Sequence, residues 1–188
     1  RKPYWLIASI DVLEDNKRNE IYAEYKTNRS EMPEELVPQI PMIEELLAGF
    51  GVPALGIPGW EADDVIATLV EMVADQDVNV TIITADKDIR QLLSPKVALY
   101  NFRKDQYLDE AGLMKDWGVT PAQVVDFQAL VGDSVDNVPG IPLVGPKKAS
   151  ALIEKFGSLE DILAHADEAP GAKLRENLKT YADQARVS

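Results

Sequence analysis

The sequence predicts an α/β layer built on a parallel sheet, followed by an all-helical module. In the first half of the chain, apolar runs typical of buried strands alternate with amphipathic helices, an order that favours parallel strands covered by helices. After about Phe102 the sequence predicts no further strand, and helical segments follow one another. We therefore expect two units, at residues 1–105 and 106–188.

The elements of the first unit follow from apolar periodicity and from proline and glycine positions. A buried strand over residues 4–10 ends at Asp11, and residues 17–24 form at most two helical turns. Pro33 suits a helix start, whereas Pro38 and Pro41 lack N–H donors and should kink or split the helix, which Gly51 should end. The remaining predicted elements alternate: helix end 42–50, strand 53–57, helix 61–74, strand 78–84, short helix 89–93 and strand 97–100.

The second unit is predicted to be helical throughout. Its predicted helices span residues 109–117, 121–131, 146–156, 159–164 and 173–185.

The composition excludes several classes of chemistry. The 188 residues include no cysteine, which rules out disulfides and cysteine-ligated zinc and fits a cytoplasmic protein. His165 is the single histidine and has no ligand or nucleophile spacing around it, so histidine general-base chemistry is not expected. No apolar run approaches the ~20 residues of a membrane helix, so we expect no membrane partner.

Acidic residues cluster where three predicted strands end and again within the helical unit. The carboxyl ends of parallel strands meet at one edge of a sheet, so these side chains should lie together, and they would repel one another without cations. Each cluster also has a simpler explanation, as a solvated turn or as acids that offset a helix dipole. The candidate metal ligands are Asp11, Glu61, Asp63, Asp64, Asp86, Asp88, Asp133 and Asp136.

Oxygen ligands favour Mg²⁺ or Mn²⁺ over zinc, and two such ions form the usual clamp for attack of water on a phosphodiester. The net charge of −13 argues against simple electrostatic binding of DNA. Counting the eight candidate ligands as neutralised by metal leaves −13 + 8 = −5, a mild residual that local basic patches can overcome.

Two basic segments are candidate phosphate contacts. Lys26 and Arg29 are three residues apart and could hold the scissile phosphate, with Tyr25 stacking on an unpaired base. An ordinary basic loop would show the same sequence pattern.

In the second segment, Gly140 and Gly145 would allow DNA phosphate to approach the backbone at a helix start. Two lysines there, Lys147 and Lys148, would add charge, although they could also be solvated residues of a capped helix.

Together these residues resemble the 5′ nuclease superfamily of flap endonuclease-like proteins, and above all the 5′–3′ exonuclease domain of bacterial DNA polymerase I. The resemblance rests on Glu61-Ala62-Asp63-Asp64, on Thr84-Ala85-Asp86-Lys87-Asp88 and on Gly132-Asp133-Ser134-Val135-Asp136-Asn137. It implies a PIN-like nuclease core followed by a helix–three-turn–helix module over residues 139–145, with K⁺ on loop carbonyls. It also implies two Mg²⁺ or Mn²⁺ ions and metal-dependent cleavage of DNA carrying 5′ flaps, ends or branches. A monomer in the bacterial cytoplasm, associated with the nucleoid and fused to a polymerase domain, would fit this role in replication and repair.

Members of the superfamily begin with an earlier strand that ends in another metal-binding aspartate. The 188 residues show no such strand ahead of the one predicted at residues 4–10, and in this resemblance Asp11 matches the second strand-end aspartate. Three functions are therefore open: an active 5′ nuclease, a non-catalytic fragment that binds duplex DNA, and a nuclease with a similar acidic core that acts on RNA.

Overall fold

The computed structural model describes residues 3–12, 16–30 and 32–188. It confirms the predicted fold class, an α/β region followed by a helical region. The helices are α1 Lys17–Ile21, α2 Gln39–Gly49, α3 Ala62–Met72, α4 Glu110–Trp117, α5 Val124–Val131, α6 Pro146–Phe156, α7 Leu159–Ala164, α8 Ala172–Thr180 and α9 Ala182–Val187. Short 3₁₀ helices lie at Asp88–Leu92, Pro121–Gln123 and Ala166–Glu168. The strands are β1 Ala8–Ser9, β2 Ala54–Leu55, β3 Val80–Ile83, β4 Val97–Asn101, β5 Gln106–Leu108, β6 Gly132–Asp133 and β7 Val138–Pro139.

The strands form three separate hydrogen-bonded sets in the described residues. Strands β1 and β2 are parallel, and so are β3 and β4, in which Ile83 lies opposite Tyr100. Strand β5 adds to β4 in the antiparallel direction, and β6 pairs with β7 as a short antiparallel hairpin. The prediction of no strand after Phe102 was therefore wrong. Strands of two or three residues are too short to show an alternating pattern, and only pairing with a neighbour defines them.

The apolar segment at the start of the chain is less buried than the sequence predicts. Only Ala8 and Ser9 form a strand, and the side chains of Tyr4 and Trp5 are 95% and 75% exposed. A run of apolar residues predicts burial only where another surface covers it. In the described part of the chain, β1 has the two-residue pairing with β2 as its only strand partner.

The principal core lies in the helical region and supports the site. Helix α5 packs against α6, α7 and α9, and Val124 and Leu130 of α5 are fully buried. Phe127 of the same helix stacks on Trp117 with ring centroids 4.6 Å apart. Burial of each large apolar side chain contributes roughly 1.5–3 kcal/mol to the free energy of unfolding, so these contacts hold α5 in a fixed position beside the site. Its last residue leads directly into β6, which carries one of the candidate ligands.

The helix predicted over residues 173–185 is divided into α8 and α9 at Tyr181. The division accompanies two contacts that the sequence does not reveal. The Asn177 side chain donates to the carbonyl of Pro142, and the Gln184 side chain donates to that of Gly140. No helix within the described residues has the length and apolar character needed to cross a membrane.

Candidate functional site

Three carboxylates from distant parts of the sequence converge beside the helical region. Asp88, Asp133 and Asp136 each offer a carboxylate oxygen, and these atoms lie within 4.8 Å of one another. Asp88 opens the 3₁₀ helix that follows β3, and the other two lie in and after β6. The turn between β6 and β7 brings the last two together, with Asn137 in the left-handed region at φ 58°. We call these three residues the aspartate triad.

The aspartate triad is crowded with negative charge and partly shielded from water. Burial, with Asp86 and Asp133 close by, raises the pKa of the Asp88 carboxyl to about 7. Gln128 of α5 donates a hydrogen bond of 2.7 Å to Asp88 Oδ1, and Lys87 Nζ lies 3.1 Å from Asp133 Oδ2. Crowded carboxylates of this kind are stabilised when a cation lies between them.

A second acidic group adjoins the triad at the ends of β1 and β3. Burial raises the pKa of Asp63 to about 6, and the charges of Asp86, Glu61 and Asp11 add to this effect. Asp11 Oδ1 accepts the N–H of Ala62 at 2.7 Å, which caps the first turn of α3. The charges of Asp86, Glu61 and Asp11 therefore act on Asp63, as expected where acids from separate segments lie close together.

Asp64 points to a different partner from the other candidate ligands. Arg18 donates two parallel hydrogen bonds to its carboxylate, at 2.7 and 2.9 Å, and the Glu61 N–H donates a third at 3.0 Å. The guanidinium holds the pKa of Asp64 below its usual range. The sequence analysis missed Arg18, because two charged residues 46 positions apart give no pattern that pairs them.

The basic segment at residues 25–29 lies against the acidic groups. Lys26 Nζ is 2.5 Å from Glu61 Oε1, Arg29 pairs with Asp136, and the Tyr25 hydroxyl donates to Glu61 Oε2 at 3.1 Å. The backbone N–H of Lys26 also donates to the carbonyl of Asp136 at 2.9 Å. The candidate phosphate-holding cations thus lie beside the candidate metal ligands, where in this structure they pair with carboxylates.

The two glycines predicted to admit phosphate differ in their surroundings. A Cβ atom on Gly140 would lie 2.3 Å from the backbone of Val131, so the absence of a side chain there serves internal packing. A Cβ on Gly145 would meet nothing within 4 Å, which leaves its backbone open to an external group. Lys147 and Lys148 are exposed in the first turn of α6, and the ammonium of Lys148 donates to the Leu143 carbonyl.

An open cleft of about 630 Å³ runs beside the aspartate triad. Its lining includes the three aspartates, Tyr25 and Gln184 of α9. The oxygen donors present suit a hard divalent cation, which takes six or more oxygen ligands from carboxylates, carbonyls and water. The geometry therefore fits a divalent metal centre beside an open cleft.

Comparison with known families matches the whole chain in two parts. Residues 1–118 match the family model of the 5′-3′ exonuclease N-terminal resolvase-like domain, and residues 119–188 match that of the 5′-3′ exonuclease C-terminal SAM fold. A DNA polymerase I of Rhizobium leguminosarum is 42% identical over 99% of this chain and 18% of its own length. A 5′-3′ exonuclease of Aquifex aeolicus is 43% identical over 96% of this chain and 64% of its own length. The chain thus spans less than two thirds of each of these relatives.

Solved structures with a similar fold come from bacteriophage T5. A T5 5′-exonuclease with bound divalent metal ions (zinc) superposes with a TM-score of 0.84 at 25% identity, covering 98% of this chain and 72% of that one. A T5 flap endonuclease, in a pseudo-enzyme-product complex with DNA and metal ions, has a TM-score of 0.82 at 25% identity with the same coverage.

Proposed function

Because the chain belongs to the 5′-3′ exonuclease family, we propose that it is a divalent-metal-dependent nuclease that hydrolyses phosphodiester bonds of DNA from 5′ ends, flaps or branches. The observation that carries the proposal is the aspartate triad, whose oxygens lie within 4.8 Å of one another beside an open cleft. The metal-containing T5 nucleases of similar fold support it.

We assign the metal ligands to two groups. Asp88, Asp133 and Asp136 would hold one Mg²⁺ or Mn²⁺. A second ion would lie among the remaining acids, for which we propose Asp11, Glu61, Asp63, Asp64 and Asp86. Cations held there would lower the pKa of an attacking water and offset charge on the departing oxygen.

The chain's own side chains would bind and orient the DNA. Lys26 and Arg29 pair with Glu61 and Asp136 in this structure, and they would be available to hold the scissile phosphate if a metal ion took over those carboxylates. Tyr25 would stack on the terminal base. The open backbone at Gly145, with Lys147 and Lys148 in the first turn of α6, would bind duplex phosphates. Gly140 would contribute to this DNA-binding segment by allowing the close packing that shapes the turn.

The relatives support a proposal about where such a nuclease works. Those named DNA polymerase I are bacterial and much longer than this chain. We propose that the nuclease acts as a monomer in the bacterial cytoplasm, at the nucleoid, and that a polymerase domain accompanies it.

A cleavage assay tests the proposal. A duplex with a labelled 5′ flap is incubated with the chain and Mg²⁺, Mn²⁺ or EDTA, beside the same flap made of RNA. We expect shortened products of the DNA flap with either cation and none with EDTA. Cleavage in EDTA would contradict metal dependence, and preference for the RNA flap would contradict the proposed substrate.

A second candidate is a non-catalytic module that binds duplex DNA. The ion pairs of Lys26 with Glu61 and of Arg29 with Asp136 favour it, because they occupy both the candidate ligands and the candidate phosphate-holding cations. Duplex binding without cleavage in any cation would support this candidate over the first.

A further inference from the structure

The side-chain amide of Gln128 reaches the aspartate triad from helix α5. Its Nε2 donates to Asp88 Oδ1 at 2.7 Å, and the half-buried side chain lines the open cleft. The two residues are 40 positions apart in the sequence, and none of the acidic motifs includes Gln128. The contact therefore exists only in the folded chain.

The other two acids of the triad are paired with cations. Asp133 Oδ2 lies 3.1 Å from Lys87 Nζ, and Asp136 pairs with Arg29. In the part of the chain that the structure describes, no lysine or arginine forms an ion pair with the Asp88 carboxylate. A cationic partner repels a divalent ion that approaches the same carboxylate, whereas a neutral amide carries no net charge. Asp88 can therefore keep its protein donor while it binds an ion.

Packing of α5 fixes the place from which Gln128 donates. The residues on either side of it, Phe127 and Ala129, are buried. The helix also packs against the 3₁₀ helix that Asp88 opens, and it ends directly before β6, which carries Asp133. The same helix thus sets the position of Asp133 through the chain and that of the Asp88 carboxylate through Gln128.

We propose that Gln128 is a positioning residue, which holds one oxygen of Asp88 so that the rest of the carboxylate is directed to the divalent ion of the aspartate triad. The inference rests on the proposed function for the presence of that ion. A carboxylate has two oxygens with about four lone-pair positions, so one amide leaves it able to bind metal. Loss of a hydrogen-bond partner of a metal ligand typically weakens metal affinity or activity by about 10- to 100-fold.

The first test measures metal binding in the absence of DNA. Mn²⁺ is titrated into the wild type and into Gln128→Met at one pH, and the free ion is followed by electron paramagnetic resonance. Methionine keeps the length of the side chain and has no N–H donor. We expect the Kd of the tightest Mn²⁺ site to rise at least about tenfold. Gln128→Ala, which removes the donor without adding an apolar tip, should show the same loss.

The matched control is Gln91→Met. The Gln91 side chain donates at 3.0 Å to the backbone carbonyl of Asp88 and not to its carboxylate. The substitution therefore removes a hydrogen bond from the same 3₁₀ helix, while the carboxylate keeps its donor. Mn²⁺ affinity should stay within about twofold of the wild type, because the partner of the ligand is retained. Melting temperatures in EDTA show that each variant is folded.

The second test separates a positioning residue from a metal ligand. Single-turnover cleavage of the labelled 5′ flap is measured over a series of Mg²⁺ concentrations for the wild type and Gln128→Met. The Mg²⁺ concentration that gives half the maximal rate should rise about tenfold. The rate at saturating Mg²⁺ should stay within about threefold of the wild type, because every ligand oxygen is still present.

Three results would overturn the inference. Wild-type Mn²⁺ affinity in a folded Gln128 variant would do so and would leave the proposed metal centre intact. An equal loss of affinity in Gln91→Met would show that the effect comes from the stability of the 3₁₀ helix. If the wild type binds no Mn²⁺, the metal centre of the proposed function fails together with the inference.

Discussion

The surroundings of Asp63 and Asp88 disfavour the ionised form of both carboxyl groups. Both carboxyls have pKa values above the ordinary one, at about 6 and about 7, because they are partly buried among other acids. In the unfolded chain they would ionise near pH 4. Their favourable contribution to folding is therefore complete below about pH 4 and is lost as the pH rises through 6 and 7.

We expect Mg²⁺ to stabilise the fold by an amount that increases with pH. Below pH 5 protons neutralise Asp63 and Asp88 and compete with the metal, whereas above pH 7 both carboxylates are free to bind it. Melting temperatures with and without millimolar Mg²⁺, from pH 5 to 8, measure this. A rise in melting temperature with Mg²⁺ that is equal across that pH range, or absent at pH 8, would contradict the proposed metal centre. In Asp77→Asn, an exposed control, the pH dependence should be unchanged.

We expect Asp88→Asn to reduce cleavage by about 100-fold or more at saturating DNA, since a neutral amide binds a hard cation poorly. Duplex affinity in EDTA should be unchanged within about twofold, because phosphate contacts lie elsewhere. Single-turnover cleavage and anisotropy measure the two quantities in parallel, again with Asp77→Asn as control. Full cleavage by Asp88→Asn would remove this residue from the site.

At the scale of elements, the hairpin of β6 and β7 joins the aspartate triad to the loop for which we propose DNA binding. It supplies Asp133 and Asp136, and Gly140 follows directly after it. The hairpin can form only because Gly132 and Gly140 approach each other without side chains, and Gly132 also adopts a φ of 75°. Sequence motifs mark this segment as important but do not show which glycine serves the fold.

We expect Gly140→Ala to destabilise the chain by about 3 kcal/mol or more, because its Cβ would overlap the Val131 backbone. Gly145→Ala has free space around its Cβ and should cost less than about 1 kcal/mol, as expected at a helix N-cap. Urea unfolding measures both. Gly145→Ala should nevertheless weaken duplex binding, and equal stability losses in the two variants would contradict the distinction.

At the scale of the whole molecule, a net charge of −13 means that the proposed binding of DNA has to use local basic patches. The acidic groups are concentrated where metal would neutralise them, while Lys147 and Lys148 lie exposed in α6. The alternative for these lysines is simple solvation in a first helical turn, where positive charge is slightly unfavourable.

We expect replacement of both Lys147 and Lys148 by alanine to weaken duplex binding about equally on all sequences. Each phosphate contact contributes roughly one unit to the slope of log affinity against log salt, so the slope should flatten by up to about two. Cleavage at saturating DNA should be unchanged. Affinities over a salt series decide the matter, and an unaltered slope would mean that neither lysine touches DNA.

The sequence by itself determined the fold class, the positions of most helices and a set of candidate acids that includes the three of the aspartate triad, but not the short strands β5, β6 and β7. Periodicity, proline and glycine act locally, so helices such as α3 and α6 were predictable to within a few residues. The three acids of the triad were among the eight candidates, because strand ends and a glycine turn mark them.

Only the tertiary structure decided which charged groups meet. The pairings of Arg18 with Asp64, and of Lys26 with Glu61, join residues dozens of positions apart. The hydrogen bonds of Asn177 to the Pro142 carbonyl and of Gln184 to the Gly140 carbonyl depend likewise on the packing of α8 and α9. Contacts of this kind follow from the directions in which packed elements present their side chains, and spacing along the chain carries no record of those directions.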